Sequence, residues 1–275
     1  MVRTCFEDCE ENDEMRSAFI ILGVCLFLAL STTSSSLTFS GAILEQEVSP
    51  GEEIFHTITV SLSGDETSME AVGGIYGYGM GLDGTRIPQE DTDKMKPYSA
   101  TGFLKLTPEM ALIEEGAPAK FVLEGRIPED VGSGGRYALV EIHTPPQGDG
   151  QIGIALATIA PIRLTISGTE LAETGEITDL NVSDSEVSVV FENTGNHHFK
   201  ASAEAELIDS DGSIVASVEA PLMYTALVPT ASWLFEMSFD PENELELAPG
   251  TYNVDVSVIK EDGTVLGTEE ATFEV

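Results

Sequence analysis

From residue 43 onward the chain is a succession of short runs in which apolar and polar positions alternate, separated by clusters of Gly, Pro, Asp and Ser. In Tyr137-Ala138-Leu139-Val140-Glu141-Ile142-His143, Tyr137, Leu139 and Glu141 fall on one face and Ala138, Val140 and Ile142 on the other, the period of two of a β-strand. Comparable runs cover 54–60, 69–78, 99–106, 120–127, 136–143 and 152–166, then 177–182, 187–192, 199–209, 214–220, 232–239, 252–260 and 265–275. Nothing repeats at the helical period, so helix should be scarce. Turn chemistry falls between the runs: Ser49-Pro50-Gly51-Glu52, Asp83-Gly84, Thr107-Pro108-Glu109, Ile127-Pro128-Glu129-Asp130 and Gly132-Ser133-Gly134-Gly135, then Asp211-Gly212 and Asp262-Gly263 as hairpin turns. The longest polar interruption, 79–97, reads as a loop, mobile or recognitional.

These elements predict an all-β fold of two tandem immunoglobulin-like β-sandwiches, 43–167 and 168–275, divided near Ser167-Gly168-Thr169. A stretch of about 230 residues is too long for one such unit of about 100 and suits two. The second half also carries the seven strands of a single sandwich.

One segment breaks the alternation. Residues 18–30, Ala-Phe-Ile-Ile-Leu-Gly-Val-Cys-Leu-Phe-Leu-Ala-Leu, are uncharged and apolar throughout. As a helix they cover roughly 20 Å against a hydrocarbon core of about 30 Å, short for a membrane span. They fit the core of a signal peptide, and Ser40-Gly41-Ala42 supplies small residues at alternate positions for a peptidase, giving a leader of 1–42 cut after Ala42. The seventeen residues ahead of the core carry six acids and two arginines, the reverse of an export leader, whereas Met15-Arg16-Ser17 begins correctly. Met15 therefore stands beside Met1 as the start. The alternative is a retained anchor over 18–44, its helix continuing through the Ser/Thr tract towards Leu44 and associating the chain with a membrane. A lipoprotein reading at Leu22-Gly23-Val24-Cys25 fits less well, because bulky Val24 precedes the cysteine and apolar residues follow it. All readings place the remainder outside the cytoplasm, at the cell surface or secreted.

Composition narrows the picture. Cys5, Cys9 and Cys25 are the only cysteines, so the exported portion can form neither a disulfide nor a thiolate zinc site. Beyond residue 40 there are 42 acids against 10 bases, a formal charge of −32, and 23 of those acids lie after residue 167 with only Lys200 and Lys260 to oppose them. Such a field excludes nucleic acid as a partner and favours solubility, high salt or divalent cations. The acids are dispersed through alternating runs, as on a solvated sheet face, and are not gathered in a disordered tail.

The phrases Ser99, Gly102-Phe103-Leu104-Lys105-Leu106-Thr107-Pro108, Gly125-Arg126-Ile127-Pro128, Gly134-Gly135-Arg136-Tyr137-Ala138 and Pro161-Ile162-Arg163-Leu164-Thr165-Ile166 occur in an order that resembles two kinds of first domain. One is that of pilus-type periplasmic chaperones, the other the peptidoglycan-binding domain of WxL-interacting surface proteins. Val189-Val190-Phe191-Glu192-Asn193-Thr194-Gly195-Asn196 and Leu247-Ala248-Pro249-Gly250-Thr251-Tyr252 resemble adhesion-type immunoglobulin-like domains of prokaryotic surface proteins. The chaperone resemblance implies a basic pair that grips a subunit's C-terminal carboxylate, and no two residues of this sequence are assigned to it.

Candidate chemistry is sparse. His197-His198 could offer imidazoles to a metal from an irregular loop, or simply enter the strand at Phe199. Asp209-Ser210-Asp211-Gly212-Ser213 places oxygens at alternate positions as a calcium loop does, but lacks the closing bidentate acid, and Asp-Gly is equally a hairpin signal. Asn181-Val182-Ser183 matches the N-glycosylation pattern. Trp233 and Phe235 read as core and not as a sugar platform. No serine sits in a nucleophile-elbow context beside His56, His143, His197 or His198, and Gly73-Gly74-Ile75-Tyr76-Gly77-Tyr78-Gly79 lacks the lysine of a phosphate loop. The expectation is a non-enzymatic binding or adhesion module of the cell envelope, whose partner is an envelope polymer or surface protein. An assembly chaperone for surface filaments and a calcium-stiffened structural element are the alternatives.

Overall fold

The computed structural model describes residues 36–63, 68–146, 155–183, 185–240, 242 and 245–275. The apolar run 18–30, with Cys5, Cys9 and Cys25, lies outside the described residues, and among those described no helix is long and apolar enough to cross a membrane. The described fold is all-β, with a single 3-10 turn at Lys96–Tyr98.

The first unit opposes two sheets. One runs β1 (Ser36–Ser40), β3 (Glu53–Ser63), β8 (Ala119–Arg126), β6 (Leu104–Thr107). The other runs β2 (Leu44–Val48), β10 (Ala157–Ile166), β9 (Gly135–His143), β4 (Ser68–Met80), β5 (Arg86–Gln89), with β7 (Met110–Glu114) also on β4. All pairings are antiparallel except β2 with β10. Between the sheets lies one apolar cluster that includes Ile58, Val60, Phe121, Leu123, Val140, Ile162 and Leu164. Alternation does the sorting: Ala138, Val140 and Ile142 of β9 enter this core, while Tyr137 and Leu139 face the second unit in a separate buried cluster with Tyr78, Met95 and Val228.

The second unit opposes β11 (Gly175–Val182), β12 (Glu186–Asn193) and β15 (Ser232–Ser238) to β14 (Ile214–Ala220), β13 (Ala201–Ile208), β16 (Thr251–Lys260) and β17 (Val265–Glu274). Its core holds Val189, Phe191, Phe199, Leu207, Phe235, Val254 and Val256. Gly212 and Gly263 close the two hairpins at φ of 82° and 88°, the left-handed conformation that Asp-Gly turns require.

The structure departs from the sequence reading in several places, the first of them β2, which lies in no expected run. Residues 36–42, expected in the leader, belong to the fold: β1 pairs along β3 from Ser36↔Ser63 to Ser40↔Thr59, and Leu37, Phe39 and Ala42 pack on the first core. The stretch 79–97 is no plain loop but contains β5, which pairs with the end of β4. Strand β7 follows Pro108, where only a turn is expected. The run 99–106 is strand only from Leu104, because Ser99–Phe103 turns back on itself through Phe103 N–H to Ala100 O and Leu104 N–H to Ala100 O.

Candidate functional site

The two histidines sit at the junction of the units, in the loop that leaves β12. Asn193, fully buried, shapes that loop: its Nδ2 donates to His197 O at 2.9 Å and Leu227 O at 2.8 Å, and its Oδ1 accepts from Gly195 N at 2.8 Å. Asn196 fastens the loop to the first unit, its O accepting from Gly135 N at 2.7 Å and its Nδ2 donating to Ser133 Oγ at 3.2 Å. Gly134, at φ 85°, lies so close to the Asn196 carbonyl that a Cβ there would overlap it.

His198 then meets two side chains of the first unit. Its Nε2 lies 3.2 Å from Glu45 Oε1 and its Nδ1 3.1 Å from the Tyr137 hydroxyl. An ionised carboxylate only accepts, so Nε2 carries the proton and Tyr137 O–H donates to Nδ1. Glu45 Oε2 in turn accepts from Arg163 Nη2 at 2.5 Å and Nε at 3.2 Å. The result is an ordered relay, Tyr137 to His198 to Glu45, closed by Arg163. Burial, reinforced by the charge of neighbouring His197, pushes His198 down to about 4 against the opposing pull of Glu45. Burial alone would raise the Glu45 carboxyl, but the hydrogen bonds and charge of Arg163, with a smaller contribution from His198, carry it below the usual carboxylate value. Burial holds the Tyr137 phenol well above its ordinary value, so it remains a donor.

A second chain runs beside the first. His197 donates Nδ1–H to Glu173 Oε1 at 2.8 Å, and its Nε2 lies 3.0 Å from Thr165 Oγ1 of β10. Glu173 Oε2 accepts from Lys260 Nζ at 2.8 Å, and Lys260 also meets Asp262 at 2.7 Å. Hydrogen bonds to Asp262 and then Glu173 raise the Lys260 amine, and the same contact pushes Asp262 down to about 2. Burial opposes, but Lys260 and His197 lower Glu173. The two imidazoles tilt at 41° with centroids 4.3 Å apart. The two histidines, their carboxylate partners, Arg163, Lys260 and Lys200 line a cleft of about 480 Å³ between the units.

The remaining sequence candidates lie elsewhere. Asp209 and Asp211 form the β13–β14 turn, at the far end of a strand that at 3.4 Å per residue spans about 27 Å from the cleft. Asp209 Oδ1 is engaged within the turn, accepting from the backbone N–H of Asp211 and of Ser213, each at 2.9 Å. Among the described residues, no three His, Cys, Asp or Glu side chains are grouped so as to hold a metal. Asn181 is exposed on β11, its Nδ2 donating to Asp179 Oδ2 at 2.8 Å, and borders a groove of about 460 Å³ with Ser183, Glu186 and Glu236, which holds no base or histidine. Trp233 faces the second core and packs against Gly84 at the tip of the β4–β5 hairpin, where Tyr224 O–H donates to Asp83 O at 2.7 Å.

Sequence reasoning found the histidine pair but none of its partners. Arg163 carried a signal, as the lone charge in the apolar run 157–166. Glu45, Tyr137 and Glu173 carried none, since only the meeting of two units gives them their roles.

Compared with known proteins, the chain matches no family model and no curated protein. Among solved structures it is similar to a chain of the Salmonella enterica SafA pilin in complex with the SafB chaperone, at 10% identity over 89% of this chain and 99% of that one, with a TM-score of 0.41. The class 5 fimbriae chaperone CfaA gives 10% identity over 87% and 98%, with a TM-score of 0.40. The YadV chaperone gives 12% over 87% and 99%, with a TM-score of 0.39.

Proposed function

We propose that the protein is a non-enzymatic, exported binding module of the cell envelope, in which the inter-unit polar cluster works as a clamp. The observation that carries this reading is the engagement of the groups themselves: both nitrogens of His197 and of His198 are hydrogen-bonded to protein side chains, and the Tyr137 hydroxyl belongs to a residue of 0% exposure. A general base or nucleophile needs a free position within hydrogen-bond reach of a substrate, and neither imidazole nor the buried phenol has one. With that cluster occupied, function falls to the outer sheet faces and to recognition. The WxL resemblance makes peptidoglycan the first polymer to try, with a surface protein as the other class of partner. The test is co-sedimentation of the isolated protein with purified peptidoglycan and with intact envelopes, run beside a panel of hydrolase substrates. Binding without turnover is expected. Turnover that disappears in Glu173→Gln or His198→Gln would overturn the reading.

One observation favours an assembly factor as a second reading. Arg163 and Lys260 face the protein's own carboxylates, but Lys200 lines the same cleft with no ion pair among the described residues, leaving one cation for an acidic chain end. The SafB chaperone is described with a pilin bound, and an analogous partner here would be a surface-filament subunit. This reading expects a subunit to copurify with the parent protein and to be lost from Lys200→Ala.

A further inference from the structure

The segment expected to be removed on export is built into the first sandwich. Five consecutive residues of β1 pair with β3, from Ser36↔Ser63 through Phe39↔Val60 to Ser40↔Thr59. Leu37, Phe39 and Ala42 pack on the buried cluster that holds Val60 and Leu62. The connection to β2 is specific as well: Gly41 turns at φ 71°, and His56 donates Nε2–H to the Gly41 carbonyl at 2.6 Å. At the other end, the Ser36 and Ser63 hydroxyls meet at 2.7 Å. A cut after Ala42 would discard all of this. It would leave β3, at 11 residues one of the longest strands, as a bare sheet edge, and would uncover one side of the core.

We infer that residues 36–42 belong to the mature protein and that any removal of the leader takes place upstream of Ser36. There is room for it. Five residues, Ser31-Thr32-Thr33-Ser34-Ser35, separate the end of the apolar run from β1, and they too carry small side chains at alternate positions.

The experiment is intact mass and N-terminal sequencing of the full chain after export, taken from both the membrane and the soluble fraction. An N-terminus at Ser36 or earlier in each fraction is expected. An N-terminus at Ile43, or anywhere from Leu37 to Ala42, overturns the inference. A second arm places Phe39→Asp in the full chain and compares the thermal midpoint of the exported product with that of the parent. A charge on a core-packed strand should lower the midpoint by at least about 3 °C. An unchanged midpoint would mean that β1 contributes nothing to the folded product, and would also overturn the inference.

Discussion

His198 binds its proton more weakly in the folded protein than in the unfolded chain, and the sign of the consequence is fixed. Its value is about 4 against an ordinary 6.5, so the unfolded chain takes up a proton on acidification that the folded state refuses. The stability associated with it is complete above pH 6.5, falls through the interval to about 4, and is constant below, a loss on the order of 3 kcal/mol. Glu45 and Glu173 are lowered, so their contributions are present above the ordinary carboxylate value and are lost only at still lower pH. The thermal midpoint should therefore drop between pH 7.5 and 4.5. In His198→Gln it should start lower, because the fit to Tyr137 and Glu45 is impaired, yet drop several degrees less over the same interval. Equal drops in the two proteins would show that His198 is not the group responsible. The sequence made the histidine pair conspicuous but could not reveal this behaviour. Glu45 lies 153 residues from His198 and 118 from Arg163, and periodicity tells which face a residue occupies, not which two faces meet.

Strands were legible where the pattern had a buried face to report. Strands β12, β13 and β16 alternate cleanly because one side enters a core. The missed strands lie at the margins of their sheets. In β2 only Leu44 and Val48 are buried around three exposed polar residues, β5 contains Pro88, and β7 leaves Met110 and Leu112 exposed. Proline is tolerated at such an edge because no further strand needs its missing N–H. The acidic alternation, read as a solvated face, has a structural cost once register is known. Glu206 of β13 lies directly opposite Asp255 of β16, and Asp255 opposite Glu270 of β17, while Glu204 faces Glu219 of β14. Like charges facing across a ladder destabilise, and salt screens them. Raising ionic strength from about 0.05 M to 1 M should raise the thermal midpoint. Asp255→Asn should raise it at low salt by about 1–3 °C, with the gain vanishing at 1 M. A gain of the same size at both salt concentrations would point to local packing and not to charge.

At the scale of the molecule, three more contacts join the units beside those that Asn196 and His197 make to Gly135, Ser133 and Thr165. The β4–β5 hairpin reaches across so that Gly84 rests on Trp233, Leu234 N–H donates to Leu82 O at 2.9 Å, and Arg86 Nη2 donates to Thr225 Oγ1 at 3.1 Å. Beside it, Tyr78, Tyr137 and Leu139 of the first unit bury Val228 of the second. The relay through His198 closes the far side. An apolar contact flanked by hydrogen bonds resembles a small domain core more than a transient interface, and the strain of separating it should be felt by both sandwiches together. Calorimetry should therefore show one unfolding transition, with calorimetric and van't Hoff enthalpies equal, although each sandwich has its own core. Val228→Asp puts an unpaired charge at the centre of the contact while leaving both cores intact, so it should split the transition in two. If the parent protein already shows two transitions, the units fold independently and the clamp does not couple them. If the variant keeps a single transition at a lower midpoint, Val228 matters to one sandwich and not to the joint between them.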